Sequence, residues 1–370
     1  MRAPCLRIAL LSLSAIFGSG CGGGSSSPQT APACTPISPP TAAYITNGSD
    51  NTVSMYTVNS CSGALTPTNP AAVATGNFPE GMAADPSGAF TYVADVFDNT
   101  VSMYTFNSTT GILTPTTPAT VGAGSQPGAV AIDPSGRFAY TANGGDNSVS
   151  MYTINSGTGI LTPTTPPAVA AGTAPIGVTV DPSGKFVYVI NDVDNTVSMY
   201  TINATTGILT STTPATVATG VTPVGVTAEP SGKFVYVANQ NDNTVSVYTI
   251  NGDGTLTSAA TVTTGNEPES VAVDPSSKFA YVANLADGTV AMYTINSSTG
   301  GLTPNSPATI ATAKQPLVVK MAPSGKFVYA VSRENNMISI YSVNSDGTLT
   351  GAGTLSVNNP ESIALTGTTQ

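Results

Sequence analysis

The sequence predicts an all-β fold, a seven-bladed β-propeller built from four-stranded antiparallel blades. Seven tyrosines recur at a spacing of about 48 residues, and each is followed twelve residues later by another tyrosine. A fixed period of this length is typical of propellers and other repeat architectures. Because the two series contain all 14 tyrosines of the chain, we interpret them as framework residues of repeated strands. The first series is Tyr44, Tyr92, Tyr140, Tyr188, Tyr236, Tyr281 and Tyr329.

Each repeat reads as four short strands joined by tight turns, as the copy around Tyr188 illustrates. Residues 176–180 and 186–190 are apolar strand candidates separated by an Asp-Pro-Ser-Gly turn. Residues 196–202 alternate with a period of two, and residues 214–219 are expected to form an outer edge strand. Since no segment shows helical periodicity, each repeat is expected to form one propeller blade.

The two ends of the repeat region are complementary. Residues 43–46 correspond to a second strand that lacks the first strand before it, whereas residues 360–365 correspond to a first strand without a second. Pairing of these two segments would complete one blade and close the ring without an unpaired edge. The propeller is therefore expected to occupy residues 43–370.

Residues 1–20 have the features of an export signal. Arg2 and Arg7 precede a short apolar run, too short to span a membrane, and small residues lead to Cys21. The stretch resembles a bacterial lipoprotein signal, which implies that Cys21 is lipidated; an ordinary secretory signal, and hence a secreted protein, is the alternative. Residues 21–42, rich in Gly, Ser, Pro and Thr, are expected to form a flexible lipid-anchored tether. Gly22, by the same resemblance, favours the outer membrane of the cell envelope.

Two cysteines, Cys34 and Cys61, remain once Cys5 and Cys21 are assigned to the signal and its end. In an oxidising compartment they are expected to form a disulfide between the tether and the first hairpin loop. Two unpaired thiols are the alternative.

The composition disfavours several classes of function. The formal net charge is −10 and no basic stripe is present, so nucleic acid is not expected as a partner. The chain contains no histidine, which removes the commonest acid–base at neutral pH and the usual zinc ligand. We therefore expect no metal and no cofactor, although calcium binding by the repeated Asp-Asn turns is an alternative. The protein is expected to be a monomer.

Repeated tetrapeptides resemble those of a known family. Residues 44–47 read Tyr-Ile-Thr-Asn, and residues 236–239 and 281–284 read Tyr-Val-Ala-Asn. Together with the Asp-Pro-Ser-Gly turns they resemble the YVTN-repeat, lactonase-like seven-bladed propellers, over residues 43–366. The resemblance implies a site over the central channel, where lactonases and muconate cycloisomerases of this group bind sugar-acid or lactone rings. It is more specific for the fold than for the activity, because one fold hosts many functions.

The chain departs from the family at the positions that carry this activity. The family pattern has Pro-Arg-His where an inner strand begins and Asn-Glu where the next strand ends. Here the second of these positions keeps Asn191, Asn239 and Asn284, but none of them is followed by the glutamate. Because this part of the family pattern is incomplete, the sequence leaves open whether the chain is an enzyme. Neither Arg nor His follows the seven prolines that open the inner strands: Pro79, Pro127, Pro175, Pro223, Pro268, Pro316 and Pro360.

Charged residues that break the repeat mark a candidate ligand site. Most carboxylates fall at repeated turn positions, where they bond backbone amides. The exceptions fall mostly in loops at the channel mouth of blades six, seven, one and two, which are contiguous once the ring closes. Glu80 and Glu361 occupy equivalent positions in adjacent blades and are the candidate catalytic pair, since paired carboxylates can divide acid and base roles. The predicted ligand-binding residues are Glu80, Asp95, Glu267, Glu269, Lys314, Arg333, Glu334 and Glu361, with loop amides Asn47, Asn239 and Asn284.

Two functions of different classes are compatible with these observations. The first is an envelope-anchored, non-catalytic propeller that binds a protein or a neutral saccharide at the channel mouth. The second is a divergent lactonase, similar to 6-phosphogluconolactonases, or a cycloisomerase, which would use Glu80 and Glu361 where relatives have Arg and His. Drift of the repeat in solvated loops, without a ligand, is the alternative to both.

Overall fold

The computed structural model describes residues 41–366, which form seven four-stranded antiparallel sheets and contain no helix. In six blades the strands follow the chain from the innermost strand to the outer edge. In blade one the innermost strand comes instead from the end of the described chain. The predicted seven-bladed β-propeller is therefore confirmed.

The strands fall into four classes by their place in the blade. The innermost strands are β4 (Pro79–Ala84), β8 (Pro127–Ile132), β12 (Pro175–Val180), β16 (Pro223–Ala228), β20 (Pro268–Val273), β24 (Pro316–Met321) and β28 (Pro360–Leu365). The second strands are β1 (Thr41–Asn47), β5 (Phe90–Asp95), β9 (Phe138–Asn143), β13 (Phe186–Asn191), β17 (Phe234–Asn239), β21 (Phe279–Asn284) and β25 (Phe327–Ser332). The third strands are β2 (Thr52–Val58), β6 (Thr100–Phe106), β10 (Ser148–Ile154), β14 (Thr196–Ile202), β18 (Thr244–Ile250), β22 (Thr289–Ile295) and β26 (Met337–Val343). The outer strands are β3 (Leu65–Ala74), β7 (Leu113–Gly122), β11 (Leu161–Ala170), β15 (Leu209–Ala218), β19 (Leu256–Thr263), β23 (Leu302–Ala311) and β27 (Leu349–Ser356).

The ring closes as the complementary ends predict. Strand β28 pairs antiparallel with β1, with Tyr44 opposite Ala364 and Thr46 opposite Ser362. Strand β1 begins at Thr41, slightly before the predicted boundary at residue 43. Ring closure leaves blade one with the same four strands as its neighbours, so no inner edge is exposed.

The outer strands are longer than predicted. In blade four the outer strand was expected over residues 214–219, but β15 extends over Leu209–Ala218 and pairs with β14 from Leu209 onwards. Its side chains are mostly exposed, so the sequence lacks the apolar alternation that would have marked its first half. Pro214 lies within the strand, which an edge position tolerates because one side makes no ladder hydrogen bonds.

The repeated tyrosines join each blade to the next. The second-strand tyrosine donates its hydroxyl hydrogen bond to a hairpin glycine of the following blade, as Tyr44 does to Gly111 O at 3.0 Å. Tyr329 makes the equivalent bond to Gly63 O at 2.8 Å and so ties blade seven to blade one. Gly63 has a φ of +72°, and a Cβ there would lie 2.5 Å from the ring of Phe327, so only glycine fits. The tyrosines are thus framework residues, as expected.

The two faces of the ring carry different features. The face where Asn47 meets both Thr52 and Pro360 carries the turns between second and third strands and the starts of the inner strands; we call it the mouth face. The opposite face carries the Asp-Pro turns, the start of β1 at Thr41, and the hairpin that contains Cys61.

The expectations for the amino-terminal segment concern residues whose structure is not described. The signal, Cys21, Cys34 and all but the end of the tether lie outside residues 41–366. Cys61 is disulfide-bonded, and its pairing with Cys34 stays a prediction. The described chain contains no helix of the length and apolarity that a membrane span requires.

Candidate functional site

The central channel contains a cavity of about 470 Å³ lined by the inner strands of the blades. Most of its lining is small or apolar, as in the inner strands that begin at Pro127, Pro175 and Pro223. The charged side chains in the lining are Glu80, Glu269, Lys320, Arg333 and Glu361. A pocket of this size suits a small molecule that a few polar groups orient.

An ion pair crosses the seam where blade seven meets blade one. Arg333 follows β25, and its Nη1 donates to Glu361 Oε1 at 3.1 Å and to Oε2 at 2.9 Å. The Arg333 side chain is 50% exposed, whereas that of Glu361 is 6% exposed. Glu361 fits there because Gly48 has no side chain: a Cβ on Gly48 would lie 2.8 Å from Glu361 Oε1. Burial raises the pKa of Glu361, and the hydrogen bond and charge of Arg333 oppose this rise.

The carboxyl of Glu80 titrates near neutrality beside this pair. Glu80 is the second residue of β4 and lies in the cavity lining, where water in the channel reaches it. Partial desolvation by the channel wall, together with the charge of Glu361, raises its pKa to about 7 against the opposing charge of Arg333. A carboxyl with such a pKa can both accept and donate a proton at physiological pH.

A second polar contact lies between blades five and six. Gln240, which follows β17, donates from Nε2 to Glu269 Oε1 on β20. Burial raises the pKa of Glu269, and the hydrogen bond from Gln240 opposes that rise. The contact repeats the geometry of Arg333 with Glu361, because in both cases the residue after a second strand meets the second residue of the next inner strand.

The other predicted site residues lie outside the cavity lining. Lys314 and Glu334 are exposed on mouth-face loops, and Glu267 is half-buried, with its backbone N–H donating to Asn243 Oδ1 at 2.8 Å. Asp95 is 0% exposed and accepts hydrogen bonds from Ser102 at 2.7 Å and from Thr75 at 2.7 Å. The structure therefore brings together Glu80, Glu269, Arg333 and Glu361 of the predicted set.

Asp95 occupies the position that the loop asparagines occupy in other blades. Asn47, Asn239 and Asn284 are buried at the ends of their second strands and donate to hydroxyls of the third strands, as Asn47 does to Thr52 at 2.9 Å. These side chains hold the strand ends together and do not line the cavity. In the described part of the chain, no group of three His, Cys, Asp or Glu side chains could hold a metal ion.

Sequence reasoning missed three features of the mouth. Lys320 lies in the channel lining, although it falls outside the mouth loops that contain most of the predicted site residues. Gln240 follows Asn239 where the family pattern has a glutamate, and its contact with Glu269 was not predicted. The rings of Phe78 and Phe97 are in contact, with centroids 5.1 Å apart, and Phe97 is 61% exposed. Phe78 and Phe97 could have been found in the sequence, because the equivalent positions of the other repeats do not carry phenylalanine.

Comparison with known proteins agrees with this fold. A protein of Bacteroides fragilis assigned as a 6-phosphogluconolactonase has a structure with a TM-score of 0.77 and 21% identity, and the match covers 89% of this chain and 99% of that one. The periplasmic gluconolactonase of Pseudomonas aeruginosa matches with a TM-score of 0.74 and 16% identity, covering 88% of this chain and 99% of that one. At such identities the likeness shows the fold alone.

The sequence itself matches a family. No curated protein matches the chain. The family described as lactonase, 7-bladed beta-propeller matches residues 47–224 and 210–321. These segments cover most of the chain and include blades whose inner strands line the cavity. The chain belongs to this family of lactonase-like seven-bladed β-propellers.

Proposed function

We propose that the channel mouth hydrolyses the lactone ring of a sugar acid, with Glu80 as the residue that exchanges protons. The observation that carries the proposal is the placement of Glu80 in one cavity lining with the Arg333–Glu361 ion pair, where partial desolvation and the charge of Glu361 raise the pKa of Glu80 to about 7. In a chain without histidine, a glutamate tuned in this way supplies the acid–base group that neutral-pH hydrolysis requires. The names of the Bacteroides and Pseudomonas proteins support a sugar-lactone substrate.

The reaction divides into two proton transfers. Ionised Glu80 takes a proton from a water molecule as the water oxygen attacks the lactone carbonyl. The carbonyl oxygen becomes an oxyanion, which the remaining guanidinium donors of Arg333 can stabilise, because only Nη1 is engaged by Glu361. Collapse of the intermediate breaks the ring C–O bond, and Glu80 returns its proton to the leaving oxygen. The product is the open hydroxy acid.

Glu361 is expected to act through its neighbours. Both of its carboxylate oxygens accept from Arg333 Nη1 and hold that side chain at the seam, and its negative charge raises the pKa of Glu80. We therefore regard Glu361 as a positioning residue and Glu80 and Arg333 as the candidate catalytic residues.

The test is ring opening of D-glucono-1,5-lactone and 6-phosphogluconolactone by the full chain, measured in a pH-stat above the spontaneous rate. We expect Glu80→Gln to lower kcat/KM by about 10²–10⁴-fold, the usual contribution of a general base. Glu334→Gln is the matched control, because Glu334 is exposed on the same face and outside the cavity. Equal activity of wild type and Glu80→Gln would refute the assignment.

A binding module is the second candidate function. It is favoured by the inner-strand openings, which carry neither Arg nor His. In this case the mouth would hold a protein or a neutral saccharide through the carboxylates and Gln240 without turnover. A glycan array and an envelope pull-down with wild type and Glu80→Gln/Glu361→Gln would then show ligand capture that the double variant loses, with no lactone opened by either protein.

We also propose that the protein is exported and anchored to the outer membrane through Cys21. The lipoprotein-like signal supports the anchor. Labelling with a radioactive fatty acid in wild type but not in Cys21→Ser is the expected result, and equal labelling of both would contradict it.

A further inference from the structure

Lys320 is a single long, cationic side chain in a ring of small ones. It is the fifth residue of β24 and lines the cavity. The equivalent positions of the other inner strands carry only alanine or threonine: Ala83, Ala131, Thr179, Thr227, Ala272 and Ala364. Replacement of a small residue by lysine at one of seven equivalent positions places one positive charge inside the channel.

The Lys320 ammonium has no protein partner to balance this charge. It forms neither an ion pair nor a side-chain hydrogen bond with any residue between 41 and 366. Water in the channel reaches the side chain, but the surrounding wall lowers the pKa of Lys320 through burial. An ammonium in such a place is stabilised when an anion enters beside it.

The charges of the cavity are separated along the channel axis. Leu317 lies at the second position of β24, level with the equivalent positions of Glu80 and Glu269, and Lys320 lies three residues further along the strand. At roughly 3.3 Å per residue, the backbone of Lys320 lies about 10 Å along the strand from the backbone of the second position. Since Arg333 is balanced by Glu361, the cavity has an acidic mouth and a cationic floor.

We propose that Lys320 binds a single carboxylate, so that the ligand of the channel is a sugar ring carrying a carboxylate at the end remote from Glu80. Hydroxyl groups of the ring would donate to Glu80 and Glu269 at the mouth. The sugar ring rests on the proposed function, whereas the carboxylate rests on Lys320 alone. A phosphate fits less well, because its charge approaches −2 at neutral pH. The single ammonium of Lys320 would balance only part of that charge, and the carboxyls of Glu80 and Glu269 would repel the rest.

Three sugars that differ only at one carbon test this subsite without any catalytic step. D-Glucose, D-glucuronate and D-glucose 6-phosphate carry a hydroxymethyl, a carboxylate and a phosphate group at the same position. Titration calorimetry with the full chain is expected to show D-glucuronate binding about 10-fold to 100-fold tighter than D-glucose, as one charge-assisted contact provides. D-Glucose 6-phosphate is expected to bind more weakly than D-glucuronate.

Matched lysine variants test whether the preference for D-glucuronate over D-glucose depends on Lys320. Lys320→Met, which keeps the length of the side chain, is expected to bind D-glucuronate and D-glucose equally. Lys326→Met in the same blade, where the lysine is exposed on an Asp-Pro-type turn, is expected to keep the preference. Lys320→Arg keeps the charge, so a preserved preference there supports the subsite even if Lys320→Met folds poorly.

The outcomes separate this proposal from the lactone hydrolysis. Equal binding of D-glucuronate and D-glucose by the wild type, an unchanged preference in folded Lys320→Met, or tightest binding of D-glucose 6-phosphate would each overturn the carboxylate subsite. These results would leave ring opening by Glu80 untouched. Conversely, a glucuronate preference that depends on Lys320 in a protein without lactone activity would support the subsite and remove the proposed reaction.

Discussion

Glu80 is expected to make the stability of the folded protein depend on pH in a direction opposite to that of most carboxylates. Its pKa is about 7 in the folded protein against an ordinary value of 4.5. The folded state therefore binds this proton more tightly than the unfolded chain does. The stabilisation is fully present below about pH 4.5 and is lost as the pH rises through about 7.

The magnitude follows from the size of the pKa difference. A rise from 4.5 to about 7 corresponds to at most ~3.4 kcal/mol between the two protonation states. Because channel water reaches the carboxyl and screens it, we expect about 1–2 kcal/mol. Glu80→Gln removes the ionisable group, so the variant should gain stability relative to wild type above pH 7 and little or nothing at pH 4.

The assay is urea unfolding of wild type and Glu80→Gln at pH 4, 6 and 8, with Glu334→Gln as the exposed control. The difference in free energy of unfolding between wild type and Glu80→Gln is expected to grow with pH, whereas Glu334→Gln should track the wild type. NMR of the side-chain carboxyl carbons can follow the titration of Glu80 itself, because the chain contains only six glutamates to assign. A Glu80 resonance that titrates near 4.5 in the folded protein would refute the reasoning.

Two further predictions concern the contacts that join the blades. Gly159→Ala should lower the free energy of unfolding by roughly 1–3 kcal/mol more than Gly88→Ala does. Both glycines have φ near +70°, but only a Cβ at Gly159 would meet a phenylalanine ring, at 2.2 Å. Equal losses of stability in urea unfolding would contradict this. Tyr329→Phe and Tyr140→Phe each leave a glycine carbonyl without its hydrogen bond, as at Gly63, and each should cost about 1 kcal/mol. A much larger loss at Tyr329 would show that the seam between blades seven and one carries extra stability.

The fold could be predicted because the same contacts occur in every blade. A tyrosine that must reach the glycine of the next blade has to recur with the blade, so its spacing reports the architecture directly. Ring closure was predictable for a similar reason, since residues 43–46 are a second strand without a first and residues 360–365 are a first strand without a second. The bounds of the outer strands were harder to predict, because a largely exposed edge strand such as β15 needs no alternation of apolar and polar residues.

The site was partly predictable, for reasons that differ between residues. Glu80 and Glu361 were paired from their equivalent positions in adjacent blades, and their charges interact in the structure. Asp95 broke the repeat for a different reason: its carboxylate replaces an asparagine amide in a buried network that Ser102 and Thr75 satisfy. The sequence does not distinguish these cases, because both appear as an unexpected carboxylate at the mouth. Lys320 was not included in the predicted site because it belongs to an inner strand and not to the mouth loops.

The candidate site depends on ring closure because its parts come from the seam. Glu361 belongs to the last strand, Gly48, which leaves room for it, belongs to the first turn, and Arg333 reaches it from blade seven. Thr46 of the first strand also donates to the backbone oxygen of Glu80 at 2.9 Å. A chain that failed to pair β28 with β1 would therefore lose the arginine contact of Glu361 and the charge that raises the pKa of Glu80.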